Sequence, residues 1–248
     1  MTTLAIIRNL SAASAGAILF ALNGINEVQA ASLTHRYDLK GSSADAFGGS
    51  SLQLGGGTLS GIGYTFGANQ GLSLSNAVNP GSYSIVMDFS IDDTSSYRKL
   101  IDFKDLSSDN GLYNVFGSLD FYVFGDISGP TSPFSNGVLS RLVVTRDASN
   151  LFAGYVNGVL QFQFTDSGGD ALFSDSNNII RFLTDDTATG GTEASSGFLS
   201  RVEIYDGALT SAEAAALGGP APVPTPVILP GLIGLGLGLL RKRRAAGV

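Results

Sequence analysis

A chain of 248 residues leaves room for one or two domains. It holds no Cys, no Trp and a single His. That excludes disulfides, a thiolate nucleophile and a Cys-based zinc site, and leaves only His35 for any serine triad. The formal charge is −7, and between Ala31 and Gly219 17 Asp and 3 Glu stand against nine Lys and Arg, so the body is not built for nucleic acid, whose phosphates need a basic face.

Taken in chain order, residues 1–30 read as a secretory signal peptide. Arg8 supplies a basic start, Leu10 to Leu22 an apolar stretch, and Val28-Gln29-Ala30 a small-x-small cleavage site before Ala31. The apolar stretch is short, and rich in Ala, Ser and Gly, for a membrane span. The body from 31 to 218 then alternates with period two. In Ser84-Ile85-Val86-Met87-Asp88-Phe89-Ser90-Ile91, the residues Ile85, Met87, Phe89 and Ile91 share a face, which predicts a half-buried strand. Leu119–Phe124 and Leu142–Thr145 read as further strands, the second followed by a turn at Asp147–Asn150. Asn157-Gly158 between apolar runs predicts a tight hairpin, because both residues tolerate positive φ. Beyond it Leu160, Phe162 and Phe164 are expected on one face and Gln161 and Gln163 on the other. Strands are also expected at Leu72–Leu74, Leu100–Phe103, Ile179–Leu183 and Phe198–Tyr205, the last with Val202 and Ile204 inward. Thr210-Ser211-Ala212-Glu213 is a capping box for one short helix that Gly218-Gly219 stop. Many short strands, Gly-rich turns and so little helix predict an all-β sandwich or barrel. Residues 219–230 form a Pro-rich linker. The chain finishes with fourteen uncharged residues, Val227 to Leu240, and the cluster Arg241-Lys242-Arg243-Arg244.

Two stretches resemble a known family. Gly137–Asp147 followed by Gly154-Tyr155-Val156-Asn157-Gly158 is similar to the hairpin of laminin-G-like, concanavalin A-like domains. Phe198–Glu213 is similar to their closing strand and helix. The resemblance implies a jelly-roll β-sandwich over roughly Ser32 to Leu217 and departs at Ser140-Arg141, where the family usually has Trp-x-His. The end of the chain, residues 223–248, resembles the PEP-CTERM sorting signal in its cyanobacterial P-T-P-A form: Pro224, Thr225 and Pro226, an apolar run, then Arg241, Lys242, Arg243 and Arg244. Thr225 replaces the usual Glu, and Val227 the Ala of that variant. This resemblance implies recognition and cutting by an exosortase-type membrane protease and release to the cell surface or extracellular polymer. The physical chemistry agrees. At about 1.5 Å per residue the apolar run covers only part of a bilayer core of about 30 Å, and the basic cluster would hold the end on the cytoplasmic side. An uncut C-terminal membrane anchor is the alternative.

The chemistry-bearing constellations are sparse. Glycosidases of this fold carry paired carboxylates on one strand, and the body's glutamates, Glu193, Glu203 and Glu213, do not form that pattern. No enzyme is expected. His35 reads as an exposed strand-start residue, and Gly55-Gly56-Gly57 as a loop. Asp185, Asp186 and Glu193, on the Gly-rich loop 184–193, are the candidate ligands for calcium, a hard ion that takes loop oxygens. A solvated turn is the plainer reading. Asp102, Asp105 and Asp109 form a weaker cluster. Without Trp, an aromatic sugar platform would have to come from Tyr64, Tyr97, Tyr113 or Tyr122. The expectation is thus an exported, non-enzymatic domain of the cell surface or matrix, adhesive, structural or in contact with extracellular polysaccharide. A calcium-dependent lectin is the alternative and a glycoside hydrolase the third reading.

Overall fold

The computed structural model describes residues 30–123, 125–173 and 177–221. The expected cleavage residue Val28, the linker beyond Ala221 and the sorting-signal residues lie outside the described residues, whereas Ala30 and Ala31 stand immediately before the first strand. The strands in chain order are β1 (Ser32–Tyr37), β2 (Gln53–Leu54), β3 (Thr58–Ser60), β4 (Gly63–Phe66), β5 (Leu72–Leu74), β6 (Tyr83–Ile91), β7 (Tyr97–Asp102) and β8 (Gly111–Val115). They continue as β9 (Ser118–Val123), β10 (Gly125–Ser128), β11 (Ser140–Arg146), β12 (Leu151–Val156), β13 (Val159–Thr165), β14 (Ile180–Phe182) and β15 (Gly197–Asp206). The helix α1 (Ser211–Ala216) follows. It carries the expected capping box, with Thr210 and Glu213 bonded reciprocally. Among the described residues no helix is long and apolar enough to cross a membrane.

The strands pair antiparallel into two sheets. One runs β13-β12-β11-β6-β15-β4-β3, with β1 added alongside β15; the other runs β10-β9-β8-β7-β14-β5-β2. Their inner faces close over one core, in which Ile85, Met87, Phe89, Leu142 and Ile204 of the first sheet meet Ile101, Leu112, Leu119, Phe121 and Phe182 of the second. This is the sandwich that the short alternating strands predict, in the jelly-roll form that the family resemblance implies.

The strand expected to be half-buried, β6, is buried on both faces. It lies between β11 and β15, and α1 covers the outer face there, packing Ala214 on Val86, Val143 and Tyr155. Its polar residues are therefore satisfied internally. Ser84 Oγ receives the Leu209 amide, and Asp88 takes a two-pronged ion pair from Arg141 at 2.6 and 2.8 Å. Arg141, the departure from the family pattern, also donates to the Leu217 carbonyl, tying β6, β11 and the end of α1 together. The Asn157-Gly158 hairpin forms with φ of 51° and 80°. A bulge opposite Gly154–Tyr155 adds one residue to β13, so the expected alternation breaks. Leu160 is 42% exposed, and Gln161 is buried, accepting from Thr131 Oγ1 at 2.6 Å. His35 is not free at a strand start: it sits in β1 with Nδ1 2.8 Å from Asp45 Oδ2.

Candidate functional site

The outward face of β7, β8 and β9 carries the side chains that could meet a ligand. Registers Lys99↔Tyr113 and Tyr113↔Asp120 set these residues in one row, with Tyr97 and Tyr122 on the same face to either side. Leu112, Leu119 and Phe121 point the other way into the core. Three of the four tyrosines considered for a platform therefore converge, Tyr97 and Tyr122 part-exposed and Tyr113 buried. The fourth, Tyr64, is buried, where its hydroxyl bonds the Gln70 carbonyl and the Gly57 amide.

The rings of Tyr97, Tyr113 and Tyr122 stand edge to face. Tyr97–Tyr113 centroids are 6.2 Å apart at 75°, Tyr97–Tyr122 6.4 Å at 87°, and Tyr113–Tyr122 6.2 Å at 74°. With Asp109 and Glu193 they line a cleft of about 150 Å³. Tyr97 also touches Phe116, which is 66% exposed at the tip of the β8–β9 hairpin. Phe116 has φ of 51° and is followed by Gly117 at 91°. Such a two-residue turn favours Asn-Gly, because a bulky side chain is strained at positive φ. Nothing in the sequence pattern flagged this exposed, strained aromatic.

A buried charge cluster underlies the cleft. Lys99 Nζ sits 5.2 Å from the Tyr113 centroid, 3.0 Å from Asp102 Oδ2 and in direct contact with Asp186. Burial works to raise the Asp186 carboxyl, but the hydrogen bond and charge of Lys99, together with the Ala188 and Thr189 amides, hold the group below the usual carboxylate range. The Tyr113 hydroxyl lies 3.0 Å from Asp109 Oδ1 and 3.3 Å from Asp186 Oδ2; burial, then the charges of Asp109 and Asp186, push its pKa far up. Glu193 is pushed up to about 7, by burial first and then by Asp109, Asp185 and Asp186.

The calcium candidates Asp185, Asp186 and Glu193 all stand around this cluster, each with its own protein neighbours. Asp186 is turned onto Lys99, and Asp185 Oδ2 accepts Thr189 Oγ1 and the Glu193 amide, each at 2.9 Å, so it shapes its own loop. Among the described residues no group of three His, Cys, Asp or Glu could hold a metal ion. The weaker cluster also disperses: Asp102 joins Lys99, Asp105 pairs with Arg181, and Asp109 alone reaches the cleft. Glu203 lies buried near Arg36 and Arg201, and Glu213 caps α1. A second hollow, of about 170 Å³, lies beside α1. Its carboxylate, Asp147, is taken by Ser149 and by the Leu151 amide.

Residues 66–215 match the family model of the concanavalin A-like lectin/glucanase superfamily, laminin G type. The chain belongs to this superfamily. No curated protein matches it. Among solved structures, domain 4 of AbnA, an extracellular arabinanase from Geobacillus stearothermophilus, in complex with arabinotriose, is similar at 17% identity and TM-score 0.59, over 77% of this chain and 100% of that one. Trypanosoma rangeli sialidase is similar at 14% and TM-score 0.55, over 75% of this chain and 32% of that one. The botulinum neurotoxin serotype D binding domain is similar at 13% and TM-score 0.55, over 75% of this chain and 51% of that one. The chain thus spans the whole arabinanase domain, half of the neurotoxin chain and a third of the sialidase. At these identities the likeness is one of fold, shared by carbohydrate-binding domains and by glycoside hydrolases.

Proposed function

We propose that this protein is an exported, non-enzymatic glycan-binding domain whose contact site is the cleft between Tyr97, Tyr113, Tyr122, Asp109 and Glu193. The observation that carries the reading is the convergence of three tyrosines of one sheet face and two loop carboxylates on a single cleft. Aromatic rings offer apolar contact to sugar C–H faces, and carboxylates accept hydroxyl hydrogens. The arabinotriose-bound arabinanase domain, which this chain covers in full, lends support at the level of fold. Export rests on the signal-like residues 1–30 and on the Pro-Thr-Pro, apolar and basic segments at 223–248. Expected partners are an exosortase-type protease, the bacterial membrane it works in, and an extracellular polysaccharide. The test is retention on a panel of immobilised polysaccharides, comparing the full-length chain with its Tyr122→Ala and Asp109→Asn variants. Retention that both substitutions weaken supports the cleft; retention indifferent to both moves the site elsewhere. Chelator is expected to change neither retention nor melting temperature, and loss of both on chelation would restore the calcium-dependent lectin.

One observation favours a hydrolase: Glu193, held near neutrality, shares a cleft with Asp109, and an acid of raised pKa facing a second carboxylate is what glycoside hydrolysis uses. Release of reducing ends from any polysaccharide on the panel, lost in Glu193→Gln, would replace the binding reading.

A further inference from the structure

The shape and charge of the cleft narrow the kind of sugar it fits. A neutral sugar ring stacks best on one flat aromatic face. Here three rings stand nearly perpendicular to one another, at 75°, 87° and 74°, with centroids 6.2 to 6.4 Å apart. They form a corner rather than a platform. A corner suits a compact group that touches several faces at once, and the negative face of each ring attracts positive charge.

The charge points the same way. The cation facing Glu193 from below is Lys99, and Lys99 is already matched by Asp102 and Asp186. Asp109 and Asp185 also face Glu193, from the β7–β8 loop and its own loop. At the other side Asp126 on β10 accepts the Tyr97 hydroxyl at 3.1 Å, and Asp120 on β9 lies opposite Tyr113. Asp120 Oδ1 is buried and, among the described residues, has no hydrogen-bond partner. Glu193 itself accepts no side-chain hydrogen bond among the described residues. The cleft therefore gathers carboxylates in excess of its cations beside the part-exposed rings of Tyr97 and Tyr122, whereas Tyr113 is buried and already carries Lys99 over its ring.

We propose that the part-exposed rings of Tyr97 and Tyr122, set edge to face with Asp109 and Glu193 beside them, bind the ammonium group of an amino sugar. The glycan this domain recognises then carries free amines rather than neutral or acidic substituents. This rests on the glycan-binding reading above. Acidic polysaccharides would meet repulsion from Asp109 and Glu193, and an N-acetylated sugar would bring no charge to the rings.

Three probes separate the possibilities by calorimetric titration of the full-length chain: a β-1,4-linked glucosamine oligomer, its N-acetylated counterpart, and tetramethylammonium. The expected result is binding of the glucosamine oligomer, binding of the acetylated oligomer at least about tenfold weaker, and competition by tetramethylammonium. Tyr122→Ala and Glu193→Gln should each weaken the glucosamine oligomer by about three- to tenfold; the second variant leaves the aromatic packing intact and guards against misfolding of the first. Tetramethylammonium carries a charge that does not titrate, so its affinity should rise between about pH 6 and about pH 8, as Glu193 loses its proton. Equal affinity for the two oligomers, with no competition by tetramethylammonium, overturns the ammonium proposal and leaves the glycan reading standing. Tetramethylammonium binding with neither oligomer bound overturns the amino-sugar proposal and the glycan reading together, leaving a bare ammonium site. Glucosamine binding that survives both substitutions places the site elsewhere and overturns the proposal.

Discussion

Glu193 shows how a single side chain links fold stability to the cleft. Its folded-state pKa lies near 7, above its ordinary 4.5, because of burial and the neighbouring Asp109, Asp185 and Asp186. Between those values the folded chain keeps a proton that the unfolded chain has released, so this group's contribution to stability falls as pH rises from 4.5 to 7. Glu193→Gln should therefore leave the melting temperature unchanged at about pH 4 and raise it at about pH 8. The same shift at both pH values would show that the carboxyl is not perturbed. Phe116 makes a second residue-scale case. In the left-handed turn Asn is at ease and Phe is strained, so Phe116→Asn should stabilise the chain by up to about 1 kcal/mol in urea unfolding while weakening polysaccharide retention. A variant less stable than the parent would mean that the Tyr97 contact outweighs the turn. Neither role was legible in the sequence. Glu193 read as a calcium candidate, and no motif or alternation singled out Phe116.

At the scale of elements the sequence was more legible. The Asn157-Gly158 hairpin and the Thr210–Glu213 capping box are short-range devices, complete within a few residues, and both stand where their chemistry puts them. What the hairpin sequence does not reveal is its neighbour. A Cβ on Gly158 would lie 2.6 Å from the Ala215 carbonyl in α1, besides forcing φ of +80°. Gly137 has a similar φ of +70° but nothing within 4 Å. Gly137→Ala should cost about 1 kcal/mol from backbone strain alone, and Gly158→Ala clearly more, because the helix must also shift. Equal losses in urea unfolding would show that α1 is free to yield. The β13 bulge was equally invisible: an alternating pattern cannot announce an extra residue, and that one residue exchanges Leu160 for Gln161 inside the sheet.

The intact mass of the protein recovered from its own cells should lack residues 1–30 and the segment after the Pro224–Pro226 motif, in a surface or matrix fraction. An intact C-terminus in the membrane fraction would mean a plain anchor. The sequence by itself determined the class of fold, because period-two alternation, turn residues and the lack of helical patterning are local properties that sum along the chain. It also determined what chemistry is absent, since a chain without Cys or Trp cannot acquire them by folding. Only the tertiary structure decided the site. Tyr97, Tyr113, Tyr122, Asp109 and Glu193 come from four separate segments, and strand register, the bulge in β7 beside Lys99 and the loop clamped by Asp185 bring them together. No spacing along the chain encodes that meeting. The same folding step set Asp186 on Lys99, because a buried ammonium and a nearby carboxylate each need the other as partner.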